Sequence, residues 1–216
     1  MLPVRLFFEK TGPARYMSHL DLVRCFGRSL RRAAIPFWYT EGFNPHPFLT
    51  FALPLSLGTA GMSESVDIKL TEDMPFDTLT DRLNRCLPEG LRITSVAEPK
   101  RKATDIAFSS YKIVISEKTG ICDALTDYLS RDEIITQKKN KKKQMVDINL
   151  KPSIHSFSVS EDNVNTVLEA VLSSGCSENL NPTLLLDSFS DASGIQLDHV
   201  DIIRLKILCN DLSDFA

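Results

Sequence analysis

The chain is short of the features that announce the commoner chemistries. Its five cysteines, Cys25, Cys86, Cys122, Cys176 and Cys209, never approach CxxC spacing, which argues against a zinc knuckle or an iron-sulfur cluster with sequence-local ligands. An odd cysteine count fits reduced thiols, most of them buried as small hydrophobes. There is no strand-GxxxxGK[ST]-helix, no GxGxxG, no GxSxG elbow and no reactive-cysteine signature. No apolar run approaches the roughly 18 residues of a membrane helix, and Met1-Leu2-Pro3-Val4-Arg5 lacks the layout of a signal peptide. The expectation is a cytoplasmic protein without membrane, metal or cofactor.

What is present is enough apolar surface for a core: 43% of the 216 residues are hydrophobic and 25% charged. That length admits one large domain or two small ones. The overall charge of -3 is unevenly spread. Residues 1–102 carry 14 Lys/Arg against 11 Asp/Glu, and residues 103–216 carry 11 against 17, so a polyanion should prefer the first half.

Element order sharpens the division. Val4 to Glu9 reads as a strand and Thr11-Gly12-Pro13 as a turn. A helix from about residue 18 to 34 follows, opened by the S-x-x-D capping box of Ser18 and Asp21 and closed by Pro36. Apolar residues alternate from Leu49 to Leu57, with Pro54 marking an edge strand, and alternate again from Val66 to Leu70. Pro75 opens a second helix, Pro88-Glu89-Gly90 ends it, and Leu91 to Val96 is a last strand. The order is β-α-β-β-α-β, the ferredoxin-like plait.

The polar stretch Pro99 to Asp105 reads as a linker, after which the order begins again. Strand Tyr111–Ser116, helix Cys122–Leu129, strands Ile134–Gln137, Val146–Leu150 and Ile154–Val159, helix Pro182–Ser190 and strand Val200–Leu208 are expected, with Val164–Leu172 open between helix and strand. The echo of Val66-Asp67-Ile68-Lys69-Leu70 in Val146-Asp147-Ile148-Asn149-Leu150 suggests duplication. The expected fold is therefore α+β, two tandem ferredoxin-like plaits over residues 1–102 and 108–216.

At 100° per residue, Arg24, Arg28, Arg31 and Arg32 share about 100° of the first helix, opposite Leu22, Phe26, Leu30 and Ala33. Repulsion between like charges costs a few tenths of a kcal/mol per pair, and no acidic residue is expected on that face. An anionic partner would account for the stripe, because guanidinium forks match phosphate oxygens; a solvated face, or contacts to acidic residues elsewhere, are the plainer alternatives. The next loop, Thr40-Glu41-Gly42-Phe43-Asn44-Pro45-His46-Pro47, holds Asn44 and His46 extended before prolines, as a display loop or only a crossing to the edge strand. If there is chemistry, His46 and His19 are the acid-base candidates, although a histidine at a helix start is more often a surface residue; two histidines alone are a weak metal signal.

Six of the 17 aromatic residues, from Phe37 to Phe51, fall within the same region. One or two could stack on bases, while core packing explains the rest. The run Lys138-Lys139-Asn140-Lys141-Lys142-Lys143 reads first as a solvated turn and second as a phosphate contact.

The segments Phe8 to Gly12, Arg15-Tyr16-Met17-Ser18-His19-Leu20-Asp21-Leu22, Arg31-Arg32-Ala33, Gly42-Phe43-Asn44-Pro45-His46-Pro47 and Phe51 to Leu55 resemble the bacterial radical SAM-linked domain family of unknown function. Gly27 and Phe48 depart from that pattern, standing where an acidic and a basic residue are usual. The resemblance implies a radical SAM protein as partner, and members often occur near ribosome and RNA-processing genes, so a ribosomal component is also a possible ligand. The expectation is a non-catalytic accessory protein that binds RNA or ribonucleoprotein through Arg15, Tyr16, Ser18, His19, Asp21, Arg24, Arg28, Arg31, Arg32, Gly42, Phe43, Asn44, Pro45 and His46. The alternatives are an RNA-processing or RNA-modifying enzyme using His19 and His46, and a protein-only adaptor.

Overall fold

The structure is a computed structural model that describes residues 1–116, 120–139, 144–162, 164–175 and 178–215. It is a mixed α+β protein whose chain separates into two compact units, Met1–Asp105 with Asp214–Ala216, and Ile106–Ser213.

In the first unit β1 (Leu2–Lys10) pairs antiparallel with both β3 (Ala60–Leu70) and β4 (Leu91–Ala97), and β2 (Thr50–Phe51) pairs with β3, giving the order β4-β1-β3-β2. Helices α1 (His19–Arg32) and α2 (Phe76–Asn84) bring Leu22, Phe26, Leu30, Leu79 and Leu83 onto the inward side chains of those strands, among them Leu6, Phe8, Val66, Ile68 and Ile93. The alternating burial of β1 and β3 is the period-2 pattern of a sheet with one covered face.

The nine-residue edge strand expected over 49–57 is only Thr50–Phe51. Proline has no N–H to donate, so Pro54 stops the ladder instead of decorating its edge. Arg5 is buried, yet its Nε and Nη2 donate to the Asp67 carboxylate at 2.7 and 3.0 Å, Nη2 also to the Arg101 carbonyl, and its guanidinium lies over the Phe215 ring. This clasp fastens the charged connection after β4 to the sheet, and that connection ends in a short 3-10 turn, Ala103–Asp105.

In the second unit the sheet runs β10-β5-β9-β8, all neighbours antiparallel, from β5 (Ile106–Ile115), β8 (Ile154–Asp162), β9 (Asn165–Ser173) and β10 (Val200–Cys209). Helices α3 (Cys122–Ser130) and α4 (Pro182–Ser193) cover its core with Leu125, Leu129, Leu185 and Phe189. Residues 165–173, ambiguous in the sequence, are strand because both β5 and β8 pair with them.

The remaining two strands form a ribbon of their own, β6 (Ile135–Lys139) with β7 (Met145–Asn149). Here the duplication argument needs correction: Val146 to Leu150 lies on or just beyond this ribbon, whereas Val66 to Leu70 lies in a central strand. Neither edge of β9 is open to β7, since β5 and β8 occupy both. Ile134 and Leu150 are buried at the ribbon's base, but Ile135, Met145 and Val146 face water. Residues 140–143 of the lysine run lie outside the described residues.

A candidate anion-binding face on the first helix

The face begins with a cap. Ser18 is extended, its Oγ accepts the Asp21 N–H at 3.2 Å, and its hydroxyl donates to the Asp21 carboxylate at 2.7 Å. One of the helix's orphan backbone N–H groups is engaged in this way, which fixes where α1 starts and therefore which side chains share a face. Phe26 is fully buried, 4.9 Å from Phe8 and 5.6 Å from Phe51 between ring centroids, so the opposite face of α1 is turned outward.

All four arginines are exposed, but they are not equivalent. Arg24 is paired with Asp21 at 3.3 Å, which corrects the expectation that no acidic residue shares the stripe. Three residues is close to one turn, so Asp21 belongs to the same face. Hydrogen bonding from Ser18 holds the Asp21 carboxyl below the usual carboxylate range, with Arg24 and the positive potential of Arg28 adding to the effect. Arg31 donates through Nε to the Tyr39 hydroxyl at 2.6 Å and lies over its ring. Arg32 donates to the Cys86 carbonyl. Arg28 has no hydrogen bond or ion pair among the described residues.

Two hollows border the row. The larger, 690 Å³, is walled by Met17, Cys25, Ser29 and Pro88; the smaller, 240 Å³, by Val23, Gly27, Pro47 and Leu49, with His46 at its rim. Arg24, Arg28 and Arg31 line both. Burial raises the Cys25 thiol pKa, against the pull of Ser29, Arg32 and Arg28.

The 40–47 loop is fastened at its base. Thr40 N–H donates to the His46 carbonyl at 2.9 Å and Phe48 N–H to the Trp38 carbonyl at 3.1 Å, while the His46 N–H reaches Thr40 Oγ1. Imidazole Nδ1 of His46 lies 3.0 Å from Thr40 Oγ1 and 3.2 Å from the Asn44 carbonyl oxygen. Gly27 explains how this loop meets α1: a Cβ there would stand 3.2 Å from Pro47 Cγ, so the side-chain-free position lets the proline sit on the helix. Gly42 has φ +123, a backbone conformation that favours glycine, and the Phe43 ring next to it is fully solvent-exposed. Phe48, the second departure, packs on Trp38 with the Lys69 ammonium over both rings.

The structure thus gathers Arg24, Arg28, Arg31 and His46 around one hollow and leaves other expected residues apart. His19 rests edge-on against Phe51 at 5.2 Å and lines neither hollow. Arg15 donates to the Gly58 carbonyl at 2.7 Å, and exposed Tyr16 lies beside its guanidinium. Sequence reasoning placed Pro47 in the binding loop and missed Tyr39, Cys25 and Pro88 as part of the face. Among the described residues no three His, Cys, Asp or Glu side chains are placed to hold a metal ion, and no helix is long and apolar enough to cross a membrane.

With this geometry in place, the sequence identifies its kin. Residues 4–182 match the family described as "uncharacterized protein conserved in bacteria (DUF2344)", and the chain belongs to that family. Among curated proteins no relative matches. Of solved structures, a chain of the crystal structure of a Cbf5-Nop10-Gar1 complex is similar at a TM-score of 0.53 and 11% identity over 94% of this chain. That likeness is one of fold, and this chain spans about half, 48%, of the matched one. An unknown protein from Galdieria sulphuraria aligns at 12% identity over 93% of this chain and 95% of its own, with a TM-score of 0.28.

Proposed function

We propose that the protein is a pair of ferredoxin-like plaits whose first plait binds RNA on the α1 arginine face, as a non-catalytic accessory subunit. The strand orders β4-β1-β3-β2 and β10-β5-β9-β8 support the plait reading. The binding reading is carried by one observation: Arg28, without an ion pair, stands between two hollows beside Arg24 and Arg31, with Asp21 the one carboxylate lining either. Neighbouring guanidinium groups repel by a few tenths of a kcal/mol per pair, which a phosphate would relieve, and they match phosphate oxygens in geometry. A radical SAM enzyme as the recipient of the bound RNA rests on the family resemblance alone.

The separate settings of His19 and His46 favour binding over acid-base catalysis, since a general acid and base must reach the same reacting group. The test is RNA affinity by fluorescence anisotropy over a salt series. Three or four phosphate contacts on single-stranded RNA give a slope of log K against log salt of about -2 to -3. Arg28→Glu with Arg31→Glu should lower affinity at least about 100-fold and flatten the slope. Lys100→Glu with Lys102→Glu, an equal change in charge away from the face, should leave both nearly as they were. Equal losses in the two double variants would sink the proposal, as would salt-independent binding.

A further inference from the structure

The relief of the arginine face says more about its ligand than its charge does. Arg24, Arg28 and Arg31 do not stand on a flat surface; they form a ridge with a hollow along each flank. The larger, at 690 Å³, lies within the range that accepts small organic ligands, and Met17, Cys25 and Pro88 supply most of its apolar wall. The smaller is walled by Val23, Pro47 and Leu49, with Pro47 resting directly on the side-chain-free Gly27.

A base-paired RNA keeps its bases stacked inside and offers phosphates and ribose edges outward, so on this face it would touch the ridge and leave both hollows filled with water. An unpaired strand carries a planar, largely apolar base beside every phosphate, and such bases can be splayed into pockets while the backbone follows the charges. Phe43, fully exposed on the loop that forms the wall of the smaller hollow, adds a ring face of the kind on which bases stack. The carboxylate of Asp21 lies at the capped end of the ridge, already engaged by Ser18 and Arg24.

We propose, building on the RNA reading above, that the ligand is single-stranded RNA, its phosphates on Arg24, Arg28 and Arg31 and one base seated in the larger hollow against Cys25 and Pro88. Cys25 then reports on the hollow directly. The experiment uses the full chain with a strand of about 16 nucleotides, alone and annealed to its complement, the length a duplex-binding domain spans. Affinity is read by anisotropy, and the rate of Cys25 alkylation by iodoacetamide is read by peptide mass spectrometry, with Cys122 of the second unit as internal reference.

The expected result is single-strand binding about tenfold or more tighter than duplex binding, the worth of one seated base, with Cys25 alkylation slowed severalfold and Cys122 unchanged. Cys25→Trp, which fills the hollow, should remove that preference while leaving duplex affinity as it was. Duplex binding equal to single-strand binding would overturn the inference, and so would tight single-strand binding with Cys25 reacting at its free rate; in both cases the RNA reading survives. Absence of binding by either RNA at low salt would overturn the two together.

Discussion

The two units arrange four strands in the same order and cover them with two helices, yet the exposed faces of their first helices carry opposite charge. Helix α1 presents Arg24, Arg28, Arg31 and Arg32 to water; α3, in the corresponding place in the element order, presents Asp123 and Asp127 and has no basic residue. The connections after them differ as well. Behind α1 comes a loop fastened by Thr40–His46 and Trp38–Phe48 hydrogen bonds and seated on Gly27, whereas behind α3 comes the β6–β7 ribbon. The buried sides of the helices answer to the sheet and are alike, with Leu22, Phe26 and Leu30 matched by Leu125, Tyr128 and Leu129. The exposed sides are under no such constraint from the sheet, and that is where the units diverge.

That contrast can be broken from the core outward. Phe26→Ala empties the packing against Phe8 and Phe51 and should destabilise the first unit by about 3–5 kcal/mol, measured by urea unfolding. Gly27→Ala separates helix stability from loop seating. The helix gains up to about 1 kcal/mol in propensity while the new methyl crowds Pro47, so stability should stay within about 1 kcal/mol of the parent as RNA affinity drops severalfold.

A pH series sharpens the comparison at the helix start. The Asp21 carboxyl titrates below its unfolded value because Ser18, then Arg24 and Arg28, favour its charged form. Its stabilisation is therefore complete above the unfolded carboxylate pKa, about 4, and disappears as pH falls through the lower folded value. Asp21→Asn should remove this part of the acid-side loss, seen as a shallower fall of the urea midpoint below about pH 4. The smallest effect is expected from Asp123→Arg with Asp127→Arg on α3. Two new charges without flanking hollows and a fastened loop should raise RNA affinity by no more than about threefold; a gain matching the loss in the Arg28 and Arg31 double variant would show that charge alone makes the site.

How much of this could be read from residues in order depends on the range of the interactions. The extent of α1 was legible because Ser18, Asp21 and Pro36 act on their immediate neighbours, and the arginine stripe followed from helical spacing. The alternation from Leu49 to Leu57 misled because a period-2 pattern states which residues could face a core, not where the ladder ends; one further rung, Ala52 N–H to the Ser65 carbonyl at 3.1 Å, follows Phe51, and Pro54 has no N–H for the next. The Val146-Asp147-Ile148 echo misled for a similar reason. Its segment found its partner in β6, the strand next before it in the chain, when both sides of β9 were already taken.

The sequence by itself determined the capped amphipathic helix, the division between a basic first half and an acidic second half, and most strand positions, since each rests on contacts a few residues apart or on composition. Tertiary structure alone decided that Pro47 sits on Gly27, that Tyr39 holds Arg31, that Arg32 is spent on the Cys86 carbonyl, and that Arg28 is left over between two hollows. Those outcomes depend on which surfaces meet once the chain has closed on its core, and residue order carries no local signal for such meetings.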